Sequence, residues 1–203
     1  MSEQKRIGIY GGTFSPPHLG HYKALKAFIE QERPCDTLVI PTFLPPHKQL
    51  KGDATPDERL AMCRLAFSGL PVTVSDLEIA RGGKSYTALT LESLHAKDTT
   101  LLFLCGTDMF LSMDTWYQPQ TIFSLAEIVY VRRENDIDTG ETLAKKADLY
   151  RERFGARVRE IICDVTEVSS TEIRDAIVNG RDTSAFLNPD VRRYIDQWQL
   201  YRK

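Results

Sequence analysis

The sequence has no apolar run near the roughly 20 residues that a bilayer span requires. Its opening, Met1-Ser2-Glu3-Gln4-Lys5-Arg6, leads into a short strand pattern rather than a leader. A membrane partner and a secretory signal are therefore not expected, and a cytoplasmic location is. There is no C-x-x-C pair. Cys35, Cys63, Cys105 and Cys163 are scattered, three of them in or beside apolar runs, which excludes a zinc ribbon or a dithiol motif and fits buried free thiols in a reducing compartment. An excess of one charge is missing as well. Lys and Arg number 26 against 28 Asp and Glu, a formal net charge of −2, so no global basic field points to nucleic acid. Internal repeats, low-complexity tracts and Gly/Ser-rich linkers are absent, and a single domain over residues 1–203 is expected.

What the chain does have is alternation. With 42% hydrophobic residues it can bury a sizeable core. Strand patterns at 6–10, 37–40, 72–74, 101–105, 127–132 and 157–163 alternate with helical ones. Leu25, Phe28 and Ile29 share one face of a helix following His21. Pro56, Asp57 and Glu58 open another over 56–69, with Leu60, Cys63 and Phe67 inward. Further helices are expected at 86–96, 107–113 and 141–154, and the tail 170–202 reads as helical with a break at Pro189. Leu101–Cys105 is continuously apolar, as suits the middle of a parallel sheet. The expected fold class is α/β: a doubly wound, mostly parallel sheet with a helical C-terminal segment. Trp198 is expected in the core, and His95 on the surface.

Four segments carry candidate chemistry. In Ile7-Gly8-Ile9-Tyr10-Gly11-Gly12-Thr13-Phe14-Ser15-Pro16-Pro17-His18-Leu19-Gly20-His21, a strand passes through small residues into a helix. The first N–H groups of a helix lack intrahelical partners and its dipole is positive there, so this entry suits an anion. His18 and His21, three apart, share a face and can offer imidazole donors to one phosphate. Alone, such a turn is common in α/β proteins, and the histidine pair is as often structural. Pro41-Thr42-Phe43-Leu44-Pro45-Pro46-His47-Lys48 leaves the second strand toward the same crevice, where Lys48 brings a flexible cation; by itself it reads as an ordinary surface loop. Ser169 and Glu172 form a capping box, which sets Ser170, Thr171 and Arg174 on the first turns of a helix, a cluster suited to phosphate oxygens or merely a helix start. Cys105-Gly106-Thr107-Asp108 puts a carboxylate at the end of the apolar strand, placed for a ribose hydroxyl or a helix cap. Trp116-Tyr117 is an exposed aromatic pair able to stack on a flat heterocycle.

Taken together and in order, GGTFSPPHLGH, PTFLPPHK, DERLAM, SYTALTLESL, CGTDMFLSMDTWY, VSSTEIRDAIVNG and LNPDVRRYIDQWQLY resemble the bacterial nicotinate mononucleotide adenylyltransferases, of the nucleotidyltransferase superfamily, over essentially the whole chain. The resemblance implies a Rossmann-like nucleotidyltransferase fold in one domain. It implies transfer of an adenylyl group from ATP to nicotinate mononucleotide, without a covalent intermediate, and Mg²⁺ carried mainly by the ATP phosphates with no protein metal ligands. The implied catalytic residues are His18, His21, Lys48 and Arg174. ATP would be held by Gly11, Gly12, Thr13, Phe14, Gly106, Asp108, Ser170 and Thr171. Lys48, Thr87, Trp116 and Tyr117 would hold the acceptor, with Trp116 stacked on the pyridine ring. The partners expected are these two small molecules, with a homo-oligomer possible. Two positions depart from the family pattern: Ser15 and Leu89 stand where aspartate is usual. Two alternatives stay open, another phosphate-monoester acceptor such as nicotinamide mononucleotide, and a non-catalytic nucleotide-binding relative.

Overall fold

The structure, a computed structural model, describes residues 5–46, 54–133, 140–164 and 168–202. Six parallel strands, β1 (Lys5–Gly12), β2 (Asp36–Pro41), β3 (Thr73–Val74), β4 (Thr99–Gly106), β5 (Ala126–Arg133) and β6 (Val158–Cys163), form one sheet in the order β3-β2-β1-β4-β5-β6. The apolar runs became the central strands because residues there are covered on both faces. On β4, Leu101, Phe103 and Cys105 enter one core and Leu102 and Leu104 the other.

Helices cover each face. One side carries α1 (Leu19–Glu32), α2 (Pro56–Ala66), α8 (Ser170–Val178) and α9 (Pro189–Trp198) through residues such as Leu25, Phe28, Met62, Ile173 and Ile195. The other carries α4 (Thr87–Leu94), α5 (Thr107–Ser112), α6 (Pro119–Leu125) and α7 (Gly140–Phe154), through Leu91, Phe110, Phe123 and Tyr150. A short α3 (Leu77–Arg81) lies before α4, and a 3₁₀ turn (Met113–Thr115) follows α5. This is the expected doubly wound α/β architecture. The strand order reverses between β1 and β4, later strands being added on the other side of β1, and ligands of such folds sit beyond the carboxyl ends of the strands at that switch. Gly8 lets α1 lie against β1, since a Cβ there would meet the Phe28 ring at 2.6 Å.

Several expectations are corrected. Helix α1 starts at Leu19, not after His21, because His18 supplies the cap. The helices α3 and α6 went unread: five and seven residues carry too little periodicity to register. Trp198 is 57% exposed rather than core. It ends α9, and the left-handed turn at Gln199 sends Leu200 and Tyr201 inward instead. None of the four cysteines is in a disulfide; Cys63 and Cys105 are buried, but Cys35 is exposed and Cys163 intermediate. Burial pushes the Cys63 and Cys105 thiols well above their ordinary range, so neither is a nucleophile near neutrality. His95 is exposed, as expected. No helix among the described residues is long and apolar enough to cross a membrane.

Candidate active site

A cleft of about 930 Å³ opens where β1 and β4 end. The candidate residues that the structure describes all line it: Gly11–Phe14, His18 and His21 after β1; Gly106 and Asp108 after β4; Thr87 at the start of α4; Trp116 and Tyr117; and Ser170, Thr171 and Arg174 on α8. Lys48 lies outside the described residues. Segments up to about 160 positions apart thus converge because the sheet gathers its strand ends on one side.

The two histidines are joined as a reciprocal cap. His18 Nδ1 accepts the His21 N–H at 3.3 Å, and His21 Nδ1 accepts the His18 N–H at 3.1 Å. Histidine nitrogen here replaces the oxygen of the usual Ser/Thr and Glu partners. A nitrogen that accepts carries no proton, so a neutral ring in this cap bears its hydrogen on Nε2. The rings stack with centroids 3.6 Å apart. Two Nε2–H donors are therefore held side by side, in one tautomer, at the positive end of a 14-residue helix. Phe14 packs against the second of them. Its ring is buried and meets the His21 ring edge-on at 5.1 Å, so its part is packing more than ligand contact. Gly12 makes room for that ring, since a Cβ would lie 2.8 Å from it.

The loop between β1 and α1 is fastened from four sides. Arg59, on α2, is fully buried and donates to the Thr13 carbonyl at 2.8 Å and the Phe43 carbonyl at 3.0 Å, tying the loop after β1 to the loop after β2. Arg174 donates to the Ser15 carbonyl at 2.8 Å and to Thr171 Oγ1 at 3.2 Å. The Ser170 hydroxyl donates to the Pro16 carbonyl at 2.9 Å. Ser15 Oγ lies 3.1 Å from the Tyr201 hydroxyl. The capping box of Ser169 with Glu172 is present, which places Ser170 and Arg174 as expected. Arg174 and Ser170 thus shape the loop as well as line the cleft.

Arg59 and Tyr201 fall within the motifs above, and their part emerges only from the fold. Arg59 had a readable signal: it sits on the α2 face of Met62, Cys63 and Ala66, so a charge falls on the buried stripe. Tyr201 had none, because its partner is 186 positions away. The departures also separate. Ser15 is buried within the loop, where the Tyr201 hydroxyl meets it. Leu89 is half-buried and does not line the cleft, whose α4 wall is Thr87, Thr90 and Leu91.

At the other end, Trp116 is half-buried rather than exposed, its ring edge-on to Phe103 at 6.4 Å. Tyr117 stays exposed and lies tilted on Tyr86 at 4.4 Å. Glu78 is a buried acid of this wall. It accepts the Thr90 hydroxyl at 2.5 Å. Among the described residues, no three His, Cys, Asp or Glu side chains are grouped to hold a metal.

Residues 9–176 match the cytidylyltransferase-like family. A protein of Desulfatibacillum aliphaticivorans, named a probable nicotinate-nucleotide adenylyltransferase, is 34% identical over 97% of this chain and 99% of its own length. One of Marinobacter nauticus with the same name is 35% identical over 95% of each. The chain belongs to the nicotinate-nucleotide adenylyltransferase family. Solved structures agree on the nucleotidyltransferase fold. A nicotinic acid mononucleotide adenylyltransferase from Plasmodium falciparum, complexed with NaAD, superposes with a TM-score of 0.76 at 20% identity, over 97% of each chain. One described as a putative nicotinate-nucleotide adenylyltransferase of Vibrio parahaemolyticus gives 0.64 at 22% identity, over 98% of this chain.

Proposed function

We propose that this nucleotidyltransferase joins ATP and nicotinate mononucleotide, in one domain spanning residues 1–203, to give nicotinate adenine dinucleotide and pyrophosphate. A 5′-phosphate oxygen of the acceptor attacks the α-phosphorus of ATP. The bond from that phosphorus to the bridging oxygen of the β-phosphate breaks, and pyrophosphate leaves with the electron pair. No protein nucleophile is required. The rate comes from holding the reactants in line and stabilising charge on the phosphate oxygens. The observation that carries this reading is the reciprocal cap of His18 and His21, which presets two donors at a helix N-terminus on the cleft floor.

In this reading the two Nε2–H groups meet the reacting α-phosphate. Arg174, Ser170 and Thr171 take the departing phosphates, with Lys48 as a further cation. Gly11, Gly12 and Thr13 bring backbone close to the nucleotide, Phe14 keeps that loop in place, and Gly106 and Asp108 face its ribose. Trp116 stacks on the pyridine ring, and backbone groups at Thr87 and Tyr117 meet its carboxylate. Mg²⁺ would be carried by phosphate oxygens and waters rather than by a protein cage, and would neutralise charge on the triphosphate. The test is pyrophosphate release from ATP with a panel of acceptors. Release that requires nicotinate mononucleotide supports the reading. ATP binding without release under any acceptor would overturn it.

A further inference from the structure

We propose that Lys146 and Asp114 are positioning residues for the acceptor: they clamp the turn that carries Trp116 and so set acceptor affinity without touching either substrate. The proposal rests on the reading that the acceptor's ring lies against Trp116. Asp114 sits in the 3₁₀ turn, two residues before Trp116, and its side chain is only 14% exposed. Lys146 Nζ lies 3.0 Å from each of its carboxylate oxygens. The Tyr150 hydroxyl lies 3.1 Å from Oδ1 and accepts the Asp114 backbone N–H at 3.3 Å. That hydroxyl also reaches the Phe110 carbonyl at 2.7 Å.

Both partners come from α7, whose Leu143, Ala147 and Tyr150 are buried in the core of that face, Tyr150 against Phe110 of α5 and Phe123 of α6. The clamp therefore has a rigid base. Lys146 also lies over the Tyr150 ring, 5.3 Å from its centroid. Exposed ion pairs contribute little, but this pair is largely shielded, with Lys146 23% exposed. Removing the lysine strands a largely desolvated carboxylate. The turn then relaxes toward water, and it carries Trp116 with it, because the Trp116 backbone N–H bonds the Met113 carbonyl of the same turn at 3.2 Å.

Trp116 and Trp198 are the two tryptophans of the chain. Trp198 is exposed and does not line the cleft, so a Trp198→Phe background makes Trp116 the sole reporter. In that background, Lys146→Met should raise KM for nicotinate mononucleotide about tenfold, a modest loss of binding. KM for ATP and kcat should stay within about threefold, a split that general damage to the fold would not give. Trp116 emission should shift to longer wavelength. Lys146→Arg should restore most of the affinity. Asp114→Asn, which keeps shape and volume, should give a smaller rise of the same kind, and decides the matter if Lys146→Met does not fold. Unchanged acceptor KM with unchanged emission in both variants overturns the proposal. So does a parallel rise in both KM values with loss of kcat. If the parent itself neither turns over nicotinate mononucleotide nor changes Trp116 emission on binding it, the acceptor reading falls, and this proposal with it.

Discussion

Arg59 is the sharpest test of how the fold holds the site. Its guanidinium is fully buried and bonds the carbonyls of Thr13 and Phe43. Replacing it by methionine keeps length and apolar bulk but removes every donor. Both carbonyls are part-buried, so each left without its partner costs at most about 3 kcal/mol, and two at most about 6. Part is regained because a cation no longer has to be desolvated. The net expectation is a loss of about 2–4 kcal/mol, or about 4–16 °C in Tm for a chain of this size. The catalytic effect should exceed what thermal loss explains, because the loop after β1 is released from the loop after β2, and a misplacement near 1 Å can cost about 10²-fold. Arg59→Lys keeps the charge but cannot fork between both carbonyls, and should fall between parent and Arg59→Met. The assays are urea unfolding, and pyrophosphate release at saturating substrates well below Tm. Stability within about 0.5 kcal/mol of the parent, with turnover within threefold, would refute the argument.

Other perturbations read other parts of the site. His18→Ala and His21→Ala should each cut turnover by about 10²–10³, the usual loss for one preorganised donor, and each should lower stability by about 1 kcal/mol through the broken cap; turnover and thermal melts separate the two effects. Arg174→Lys should lower turnover and raise the ATP KM while leaving the acceptor KM nearly unchanged, since lysine cannot bridge Ser15 and Thr171 as the planar fork does; full kinetics in both substrates check it. Burial alone would raise the Asp114 carboxyl, but the hydrogen bonds from Lys146 and Tyr150 outweigh it and hold it below the usual range. A depressed folded value means that this stabilisation is present above the ordinary carboxylate range and fades as pH falls through the folded value. Asp114→Asn should therefore lower Tm near neutrality and flatten its fall on the acid side, as melts across pH would record.

The strands and long helices could be read from the residues because pattern and environment agree there. Leu101–Cys105 is apolar throughout and is covered on both faces. Ser169 and Glu172 announce a helix that begins at Ser170. Sheet order could not be read, since which strands neighbour β1 depends on crossovers and not on any local pattern. The same limit hid the loop's supports. Ser15 reads as a lost charge beside the family pattern, while its bond to Tyr201 exists only once the tail folds back. The histidine pair reads from the sequence as flanking a helix entry, but the start at Leu19 and the reciprocal cap do not, because histidine seldom serves as a helix cap. Trp198 failed for the opposite reason: it continues the buried stripe of Val191 and Ile195 by spacing, yet α9 ends with it and the chain turns away.

The most direct test compares kcat/KM for nicotinate and nicotinamide mononucleotides with ATP, following both pyrophosphate and the dinucleotide formed. In the proposed reading, backbone groups at Thr87 and Tyr117 meet the ring substituent, and N–H donors there would favour a carboxylate, whose two oxygens both accept, over an amide, whose NH₂ would face a donor; sites built on such hydrogen bonds discriminate steeply. The account predicts that nicotinate mononucleotide is clearly preferred, and that Trp116→Ala weakens both acceptors comparably while ATP binding holds. Equal use of the two acceptors, or preference for the amide, would contradict it.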